Sequence, residues 1–461
     1  MTNTSPPILP DLQAERLGRL SKNMQKTGQW SAGQVAGRRW TIGCVSLEIT
    51  QRCNLDCTLC YLSDSSEAVQ DVPLEELYRR IDEIELEYGP NTDVQISGGD
   101  PTLRDRTELS KIVRYIRGKG LRASLFTNGI LLNRAWLLEL AQDGLNDVAF
   151  HVDMTQERKG FESEDALNSV RRKYIEMARE LPVSVIFNTT VYADNFHEIP
   201  ALSKFFIEQS DVVRFASFQL GADTGRGTIP GRDRPDASST DLMTTAAVTQ
   251  ASVCAAISQG AGLALNFDAL QGGHGQCNKY AMLFSMGGKR FDALSDGEFV
   301  ARVMRETAHV EFARGQSLHA GVAMLRAVLL KPSLWLDSLG YLFKVLWRFR
   351  REWWEGKPSL RKISFFTHNF MDACSLDPER VEACVFMAAS VNGLISMCTY
   401  NAERDLHLLK PIVLKSGQVF QPLVVAPNAQ GEVVIPLKWL KGRPRQEALA
   451  SRAISRRQAS A

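Results

Sequence analysis

Six short runs of β-branched and apolar residues, separated by longer amphipathic stretches, occupy the sequence between residues 44 and 220. Strands joined by helical connections of this length pair in parallel, and their crossovers are right-handed. The pattern therefore predicts an α/β fold with a parallel sheet, either open and doubly wound or curled into an incomplete barrel. The six predicted strands are CVSLEIT (44–50), VQISGGD (94–100), ASLFTNG (123–129), DVAFHVD (147–153), VSVIFNTTV (183–191) and VVRFASFQL (212–220).

Each of the later predicted strands ends in polar residues or glycine. In parallel α/β folds the carboxyl ends of the strands share one edge of the sheet, and functional groups collect there. The sequence thus predicts a single active-site edge. The strand-end residues are Gly98, Gly99, Asp100, Thr127, Asn128, His151, Asp153, Asn188, Thr189 and Gln219.

Three of the nine cysteines are clustered. The first residues, MTNTSPPILPDLQ, have neither the basic nor the apolar part of a secretory signal. We therefore expect a cytoplasmic protein whose thiols bind metal or react, rather than forming disulfides. Cys53, Cys57 and Cys60, hereafter the triplet, follow the first predicted strand in CNLDCTLC. Thiolates select iron–sulfur clusters, zinc or copper(I), and three protein ligands leave one metal position open.

The triplet, spaced Cys-x3-Cys-x2-Cys, and the GGD sequence after the second strand resemble the radical S-adenosylmethionine (SAM) superfamily over about residues 44–220. The resemblance implies a partial (β/α)6 barrel of the TIM type. It also implies that the triplet holds a [4Fe–4S] cluster whose open iron binds SAM. In that superfamily an electron from the cluster cleaves SAM to methionine and a 5′-deoxyadenosyl radical, which abstracts hydrogen from an unactivated carbon.

The resemblance also implies a set of SAM-binding residues. Gly98, Gly99 and Asp100 take the place of the family's GGE motif, with an aspartate one methylene shorter than the usual glutamate. Glycine lets a ligand approach the backbone closely, and a carboxylate accepts from an ammonium group. The other expected SAM contacts are Asn128, His151, Asp153 and Asn188. Alternatively, His151 is a core histidine and Asn188 bonds to a loop.

Four further cysteines, Cys277, Cys374, Cys384 and Cys398, are sufficient to ligate a candidate second [4Fe–4S] cluster, with His274 as a substitute for one of them. Ordinary buried cysteines are the alternative. Cys44 and Cys254 lie in apolar patterns and are expected in the core.

The block HNFMDACSLDPERVEACVFMAASVNGLISMCTYN resembles a C-terminal element of the radical SAM subgroup that includes archaeal tetraether lipid synthase. That likeness implies radical attack on a lipid methyl group and coupling of two chains. The archaeal enzyme has an additional N-terminal metal-binding portion, whereas this chain has no cysteine before Cys44. The matching residues are His368, Phe370, Met371, Asp372, Cys384, Asn392, Gly393, Cys398, Thr399, Tyr400 and Asn401.

The segment 320–354 is apolar at helical spacing and contains Trp347, Trp353 and Trp354 beside Arg348, Arg350 and Arg351. Aromatic residues next to cations suit a membrane interface, and two helices of the core are the alternative. Charged residues interrupt the segment, so we do not expect it to span a bilayer. The chain is expected to be cytoplasmic, and under the first of these two interpretations it would contact the inner face of a membrane peripherally.

The sequence thus predicts four regions: a polar lead-in (1–42), a radical SAM barrel (43–235), a mainly helical insert (236–360) and a mixed α+β C-terminal auxiliary domain with a basic tail (361–461). With 54 Lys and Arg against 52 Asp and Glu, no nucleic-acid partner is expected.

The expected activity is radical functionalisation of an unactivated C–H bond of a hydrophobic, lipid-like substrate, by C–C bond formation or methylation. The expected partners are thus a small-molecule or lipid substrate and an electron donor. Flavodoxin or ferredoxin would donate the electron. A peptide-modifying radical SAM enzyme is the second interpretation, and a non-catalytic iron–sulfur electron carrier is the third.

Overall fold

The fold is described from a computed structural model. It describes residues 42–223, 248–357 and 359–424, apart from residues 64, 271 and 313–315, and a few isolated positions elsewhere. Almost all of the predicted polar lead-in, the Gly- and Pro-rich segment 224–247 and most of the basic tail lie outside the described residues.

The six predicted strands are present, and each of the first five is hydrogen-bonded in parallel to the strand that follows it in sequence. Gly98, Thr127 and His151 are the last residues of the second to fourth strands. Gly99, Asp100, Asn128 and Asp153 follow just beyond these strand ends. The bounds are β1 Cys44–Thr50, β2 Asp93–Gly98, β3 Arg122–Thr127, β4 Asp147–His151, β5 Ser184–Val191 and β6 Val213–Leu220.

Five amphipathic helices connect these strands and bury their apolar faces in one core. Three begin with side-chain caps, because Asp105, Asn133 and Ser163 each accept a hydrogen bond from a backbone N–H three residues later. The helices are α1 Leu74–Tyr88, α2 Arg106–Gly118, α3 Arg134–Gln142, α4 Glu164–Ala178 and α5 Ile199–Glu208.

Strands β1 to β6 lie side by side in sequence order. With right-handed crossovers throughout, that order puts all the connecting helices on one face, whereas a doubly wound sheet reverses its order at a switch point. Of the two predicted architectures, the incomplete barrel is therefore confirmed.

The described chain after residue 248 supplies four further α-helices and three strands before residue 370. The insert was predicted to be mainly helical, and it also contains the antiparallel hairpin of β7 and β8. The bounds are α6 Gln250–Ala261, β7 Asn278–Met286, β8 Lys289–Asp292, α7 Gly297–Glu306, α8 Ser317–Leu329, α9 Trp335–Trp354 and β9 Arg361–Asn369.

The C-terminal strands extend the barrel sheet at both of its edges. Strand β9 pairs in parallel with β6, and β10 (Phe386–Ser390) pairs in parallel with β1. Strand β11 (Gly393–Ser396) pairs antiparallel with β10. The eleven strands of this sheet are ordered β11-β10-β1-β2-β3-β4-β5-β6-β9-β7-β8. The remaining described elements are α10 Pro378–Glu382, β10 Phe386–Ser390, β11 Gly393–Ser396, α11 Met397–Ala402, α12 Arg404–Leu408, β12 Ile412–Val413 and β13 Val419–Phe420.

Side chains alternate between the two faces of each barrel strand. In β1, Val45, Leu47 and Ile49 belong to the apolar core shared with the helices, and the residues between them are polar. By the same alternation, the inner face of the curled sheet carries buried polar side chains beside Phe126 and Phe215. The buried polar residues include Ser46, Ser97, Ser124, Asn188 and Ser217.

Candidate active site

The loop between β1 and α1 carries the triplet, whose three side chains are partly exposed. All nine cysteines of the chain are described, and none forms a disulfide. The backbone N–H of Cys53 donates to Glu67 Oε1 at 3.0 Å, and the N–H of Thr58 donates to the Thr155 carbonyl at 2.8 Å. The thiols therefore lie on a loop that is anchored to the barrel edge and remains accessible.

The two glycines at the end of β2 allow the start of this loop to pack closely against the strand. A Cβ at Gly98 would lie 1.9 Å from the Thr50 carbonyl oxygen, and a Cβ at Gly99 would lie 2.0 Å from that of Arg52. Gly98 also has a φ of +126°, which disfavours any other residue. Sequence reasoning assigned these glycines to ligand approach, and the structure shows that they also permit close packing of β2 against the start of the cysteine loop.

The Asp100 carboxylate is buried and already accepts hydrogen bonds. The donors are the Thr102 N–H at 2.9 Å, the Thr127 hydroxyl at 2.9 Å and the Asn128 N–H at 2.8 Å, together with the Thr102 hydroxyl. Four donors use most of the acceptor capacity of one carboxylate. The immediate role of Asp100 is thus to join the ends of β2 and β3, and its predicted direct contact with the SAM ammonium group stays a prediction.

Asn128 connects this edge to the cysteine loop. Its side-chain amide donates to Asn54 Oδ1 at 2.6 Å and lies 3.9 Å from Cys53 Sγ. Its backbone carbonyl accepts from Tyr174 at 3.0 Å and from Arg158 at 2.6 Å. The structure therefore places Asn128 next to the triplet, on the edge where the sequence predicted it.

His151 and Asp153 form a pair at the end of β4, with His151 Nε2 2.6 Å from Asp153 Oδ2. Burial lowers the pKa of His151, but the Asp153 charge and hydrogen bond outweigh burial and raise it above 6.5. Burial raises the pKa of Asp153, but His151 and the donors Thr155 and Thr190 outweigh burial and lower it to about 2. The His151 side chain is 35% exposed, so this imidazole is an accessible group held by a buried carboxylate.

Asn188 lies in β5, opposite His151 in the parallel register. Its side chain is buried, and its carbonyl accepts from the Val152 N–H at 3.3 Å. The six predicted SAM-contact positions other than Asn188 gather at the ends of β2, β3 and β4, with Asn188 one strand further on.

The residues present fit a [4Fe–4S] cluster better than a single metal ion. Among the described residues, no group of three or more His, Cys, Asp or Glu is arranged to hold one ion. A four-iron cluster has a different requirement, because each cysteine ligates its own iron and the sulfurs stand further apart. Three free, partly exposed thiols on one anchored loop supply one cysteine for each of three irons.

A second group of cysteines, far apart in sequence, lines one cavity between β10, β11 and the loop before β7. Cys277, Cys384 and Cys398 contribute to its wall. Burial is the main cause that raises the pKa of all three thiols, to about 12 for Cys384. The Arg380 guanidinium donates to Cys277 Sγ at 3.2 Å, and the Met371 N–H donates to Cys398 Sγ at 3.5 Å.

The fourth predicted ligand of this group, Cys374, is exposed and is not part of the cavity wall. His274, the predicted substitute, does line the cavity, and so does His368. His368 Nδ1 contacts Asn278 Oδ1 at 2.5 Å, while its buried Nε2 makes no hydrogen bond with any described residue. Burial, followed by the charge of Arg380, lowers the pKa of His368 to about 3, so the ring is neutral and able to ligate a metal.

Sequence reasoning missed a buried ion pair beside the triplet. Arg404 Nη1 donates to both carboxylate oxygens of Glu48 at 2.6 and 2.7 Å, and the Tyr400 hydroxyl donates to Glu48 at 2.9 Å. The Arg404 guanidinium lies 4.5 Å from the ring centre of Tyr61, which follows the triplet directly. Burial, followed by the charge of Glu48, raises the pKa of Tyr61 well above 10. The available signal was Glu48, the one charged residue of the run CVSLEIT.

Comparison with known proteins gives the family of the barrel. The model of the radical SAM superfamily matches residues 47–206. A 7,8-dihydro-6-hydroxymethylpterin dimethyltransferase of Methanocaldococcus jannaschii is 28% identical over 203 residues, 43% of this chain and 40% of that protein. An Fe-coproporphyrin III synthase of Methanosarcina barkeri is 29% identical over 182 residues, 39% of this chain and 44% of that protein. A PqqA peptide cyclase of Bradyrhizobium diazoefficiens is 30% identical over 180 residues, 38% of this chain and 46% of that protein.

The matched part of this chain thus spans less than half the length of these curated relatives. Their names cover different chemistries, and none of the three is named as a tetraether lipid synthase, so the finer resemblance stays a prediction. Members of the superfamily use a [4Fe–4S] cluster and SAM. From the family match, the triplet on its anchored loop and the glycine-bearing end of β2, residues 47–206 are a radical SAM domain.

Proposed function

We propose that this chain is an enzyme that functionalises an unactivated C–H bond of a hydrophobic, lipid-like substrate, by C–C bond formation or methylation. The observation that supports the reaction type is the convergence of the triplet, Gly98–Asp100 and Asn128 on one barrel edge. A [4Fe–4S] cluster and SAM, when bound, supply a 5′-deoxyadenosyl radical that abstracts hydrogen. An external donor such as flavodoxin or ferredoxin would provide the electron.

The protein residues position and tune this chemistry. The triplet would hold three irons. The Asn128 amide lies 3.9 Å from the Cys53 sulfur, where a hydrogen-bond donor would adjust the redox potential of the metal site. Gly98 and Gly99 keep the loop seated on β2. The partly exposed His151, whose raised pKa favours the protonated ring, suits a carboxylate such as that of the methionine moiety.

A second [4Fe–4S] cluster is proposed where Cys277, Cys384 and Cys398 line one small cavity, whose walls would separate to hold it. Three thiols and the buried Nε2 of His368, which has no partner among the described residues, form a donor set that suits iron. The Arg380 guanidinium beside Cys277 would offset the charge of the thiolates.

The lipid-like substrate class has two supports. The C-terminal block around His368 and Cys398 resembles the lipid-coupling subgroup. In addition, helices α8 and α9 expose apolar side chains to solvent, and an apolar area of this kind marks an interaction site such as a membrane surface.

The test compares iron content and 5′-deoxyadenosine formation in the anaerobically reconstituted full chain. The key variant is Cys53→Ala/Cys57→Ala/Cys60→Ala, and its matched control is Cys254→Ala, a partly buried cysteine of α6 that bonds to Thr367. With SAM and a strong reductant, wild type and the control should release deoxyadenosine. The triple variant should release none and should hold about four fewer irons per chain.

The proposal fails in distinguishable ways. If clusters form but no deoxyadenosine appears, even with lipid extract, the chain is an electron carrier. If deoxyadenosine forms without lipid and does not increase when lipid extract is added, the radical chemistry stands and the substrate class is wrong.

One observation favours a second candidate, a peptide-modifying enzyme. The PqqA peptide cyclase is 30% identical over 180 residues. Under this alternative, peptide fractions and not lipid extracts should raise deoxyadenosine formation in the same assay.

A further inference from the structure

Large apolar side chains are exposed mainly on one helical pair. Of the 23 large apolar side chains exposed among the described residues, 14 lie between residues 318 and 354, in α8, α9 and the turn that joins them. Exposed fractions reach 84% at Leu336 and 92% at Trp354. An apolar area concentrated in this way marks a site of interaction rather than ordinary surface.

Helix α9 has two distinct faces. On the inner face, Val345 and Phe349 are buried against Met286, and the Tyr341 hydroxyl donates to the Ala293 carbonyl at 2.8 Å. The opposite face is apolar as well, although it is exposed to solvent in the described part of the chain. The outward residues recur at helical spacing and are Leu336, Leu339, Phe343, Leu346 and Trp347, all exposed. This exposed face and the exposed face of α8 are together called the α8–α9 surface.

Cations border the α8–α9 surface. Lys344, Arg348 and Arg351 are exposed along one side of α9, and the Arg350 guanidinium stacks over the Trp347 ring at 4.0 Å from its centre. Residues 317–357 contain seven Lys and Arg and three Asp and Glu, and one of the acids, Glu352, is buried. Lys344 and Arg351 also form surface ion pairs with Asp296 and Glu355, at 3.3 and 3.1 Å. The positive charge of this border therefore rests on the excess of basic over acidic residues in the segment.

A transmembrane orientation does not suit this pair. No helix among the described residues is long and apolar enough to cross a bilayer. Helix α9 has 20 residues, or about 30 Å, and its inner face packs on the protein over several turns. A helix of this kind, with Trp, Phe and Leu on one face and cations on its border, lies in the plane of the membrane interface.

A second copy of the chain fits this surface less well. A two-fold contact presents the same patch on both subunits, so it would bring together two segments that each carry an excess of basic over acidic residues. Like charges brought together in this way oppose association. Anionic lipid headgroups instead complement these cations, while the Trp and Leu side chains enter the acyl boundary.

We propose that the α8–α9 surface docks the protein on a bilayer that contains anionic lipid. Docking does not require the reaction proposed above, although it would bring the barrel close to a lipid-like substrate. Vesicle binding and deoxyadenosine formation are separate readouts, so failure of one leaves the other to be judged alone.

The test is co-sedimentation of the anaerobically reconstituted chain with vesicles of phosphatidylcholine, alone or mixed with phosphatidylglycerol. Wild type should pellet with both, and more strongly with the anionic vesicles. Leu336→Glu/Phe343→Glu should weaken binding to both by at least about tenfold. Leu86→Glu, at an exposed position of α1 with 41% exposure, is the matched control and should bind as wild type does.

The charged border has its own variant, Lys344→Gln/Arg351→Gln. It should weaken binding to anionic vesicles roughly 25-fold, at about fivefold for each charge, and should leave binding to neutral vesicles unchanged. The proposal is overturned if wild type binds neither the neutral nor the anionic vesicles. So does a concentration-dependent dimer that Leu336→Glu/Phe343→Glu abolishes while vesicles bind nothing.

Discussion

The two cysteine groups of this chain are assembled in opposite ways. The triplet lies within eight residues of one loop and is partly exposed, so its geometry is set by local spacing. Cys277, Cys384 and Cys398 come from segments more than a hundred residues apart at their extremes and meet in one cavity. Their geometry therefore depends on the whole of the fold.

This difference has a consequence for how each group responds to change. A locally built site tolerates loss of distant contacts as long as its loop keeps its anchors. A site assembled from remote segments loses its ligands as soon as β10 or the loop before β7 shifts. Each of the following predictions tests one side of this contrast.

The largest effect is expected in the buried group. Cys384→Ala should lower the iron content of the reconstituted chain from about eight to about four per chain, whereas Cys374→Ala should leave it unchanged, because only Cys384 lines the cavity. Iron analysis and absorbance of the reconstituted variants give the measurement. Loss of iron in Cys374→Ala alone would mean that the cavity is not the ligand site.

The second prediction concerns the ion pair that joins the two regions. Arg404→Met should lower the free energy of unfolding by about 3–5 kcal/mol, because it leaves the buried Glu48 charge without its partner. Arg106→Met is the control, since the pair Arg106–Glu139 is exposed and contributes about 0–1 kcal/mol. Urea unfolding would measure both, and equal losses would contradict the structural role of Arg404.

The third prediction tests the support of the local site. Gly99→Ala should destabilise the protein by about 3 kcal/mol or impair iron binding by the triplet, because its Cβ would lie 2.0 Å from the Arg52 carbonyl oxygen. Gly118→Ala is the control, since an added Cβ there would meet no described atom within 4 Å. Thermal unfolding and iron content would be compared, and a neutral Gly99→Ala would show that the loop does not depend on this packing.

The smallest effect is a dependence on pH. Because the pKa of His151 is raised by folding, the stability that His151 contributes is fully present below about pH 6.5 and is lost as pH rises through the folded value. The contribution of Asp153 is present above about pH 3.8 and is lost as pH falls through about 2. The exposed third of His151 keeps the effect under about 1 kcal/mol.

His151→Asn should therefore have a lower free energy of unfolding than wild type at pH 6, and this difference should become smaller as the pH is raised to 9. His197→Asn, which removes an exposed imidazole from the turn before α5, is the matched control. A His151→Asn deficit that stays constant with pH would show that the Asp153 interaction does not depend on the charge of His151.

The six barrel strands were predictable because both determinants, apolar alternation and polar strand ends, are local in sequence. The edge residues from Gly98 to Asp153 followed from the rule that parallel strands end together. The contacts of Asp100 were not predictable, since its oxygens accept from Thr127 and Asn128 at the end of the next strand. Nor was the position of Cys374, because cysteine count does not show which thiols reach a cavity.

The continuation of the sheet could not be predicted from sequence either. The residue patterns of segments 361–369 and 386–390 are those of ordinary short strands and do not indicate a partner. Long-range packing decides which strand each one joins. The pairs Phe215–Ser364 and Cys44–Phe386 are separated by far more chain than any connection inside the barrel. Such pairings depend on the entropy of closing long loops and on the shape of the assembled core.

The extension of the sheet by β9 and β10 at its two edges bears on biosynthesis. While the ribosome is still synthesising the insert, the emerging barrel presents two unpaired strand edges, β1 and β6, and such edges promote association between chains. The strands made later protect both edges. A fragment ending near residue 220 is therefore expected to aggregate during expression, and the yield of intact chain should depend on how quickly residues 361–390 follow the barrel out of the ribosome.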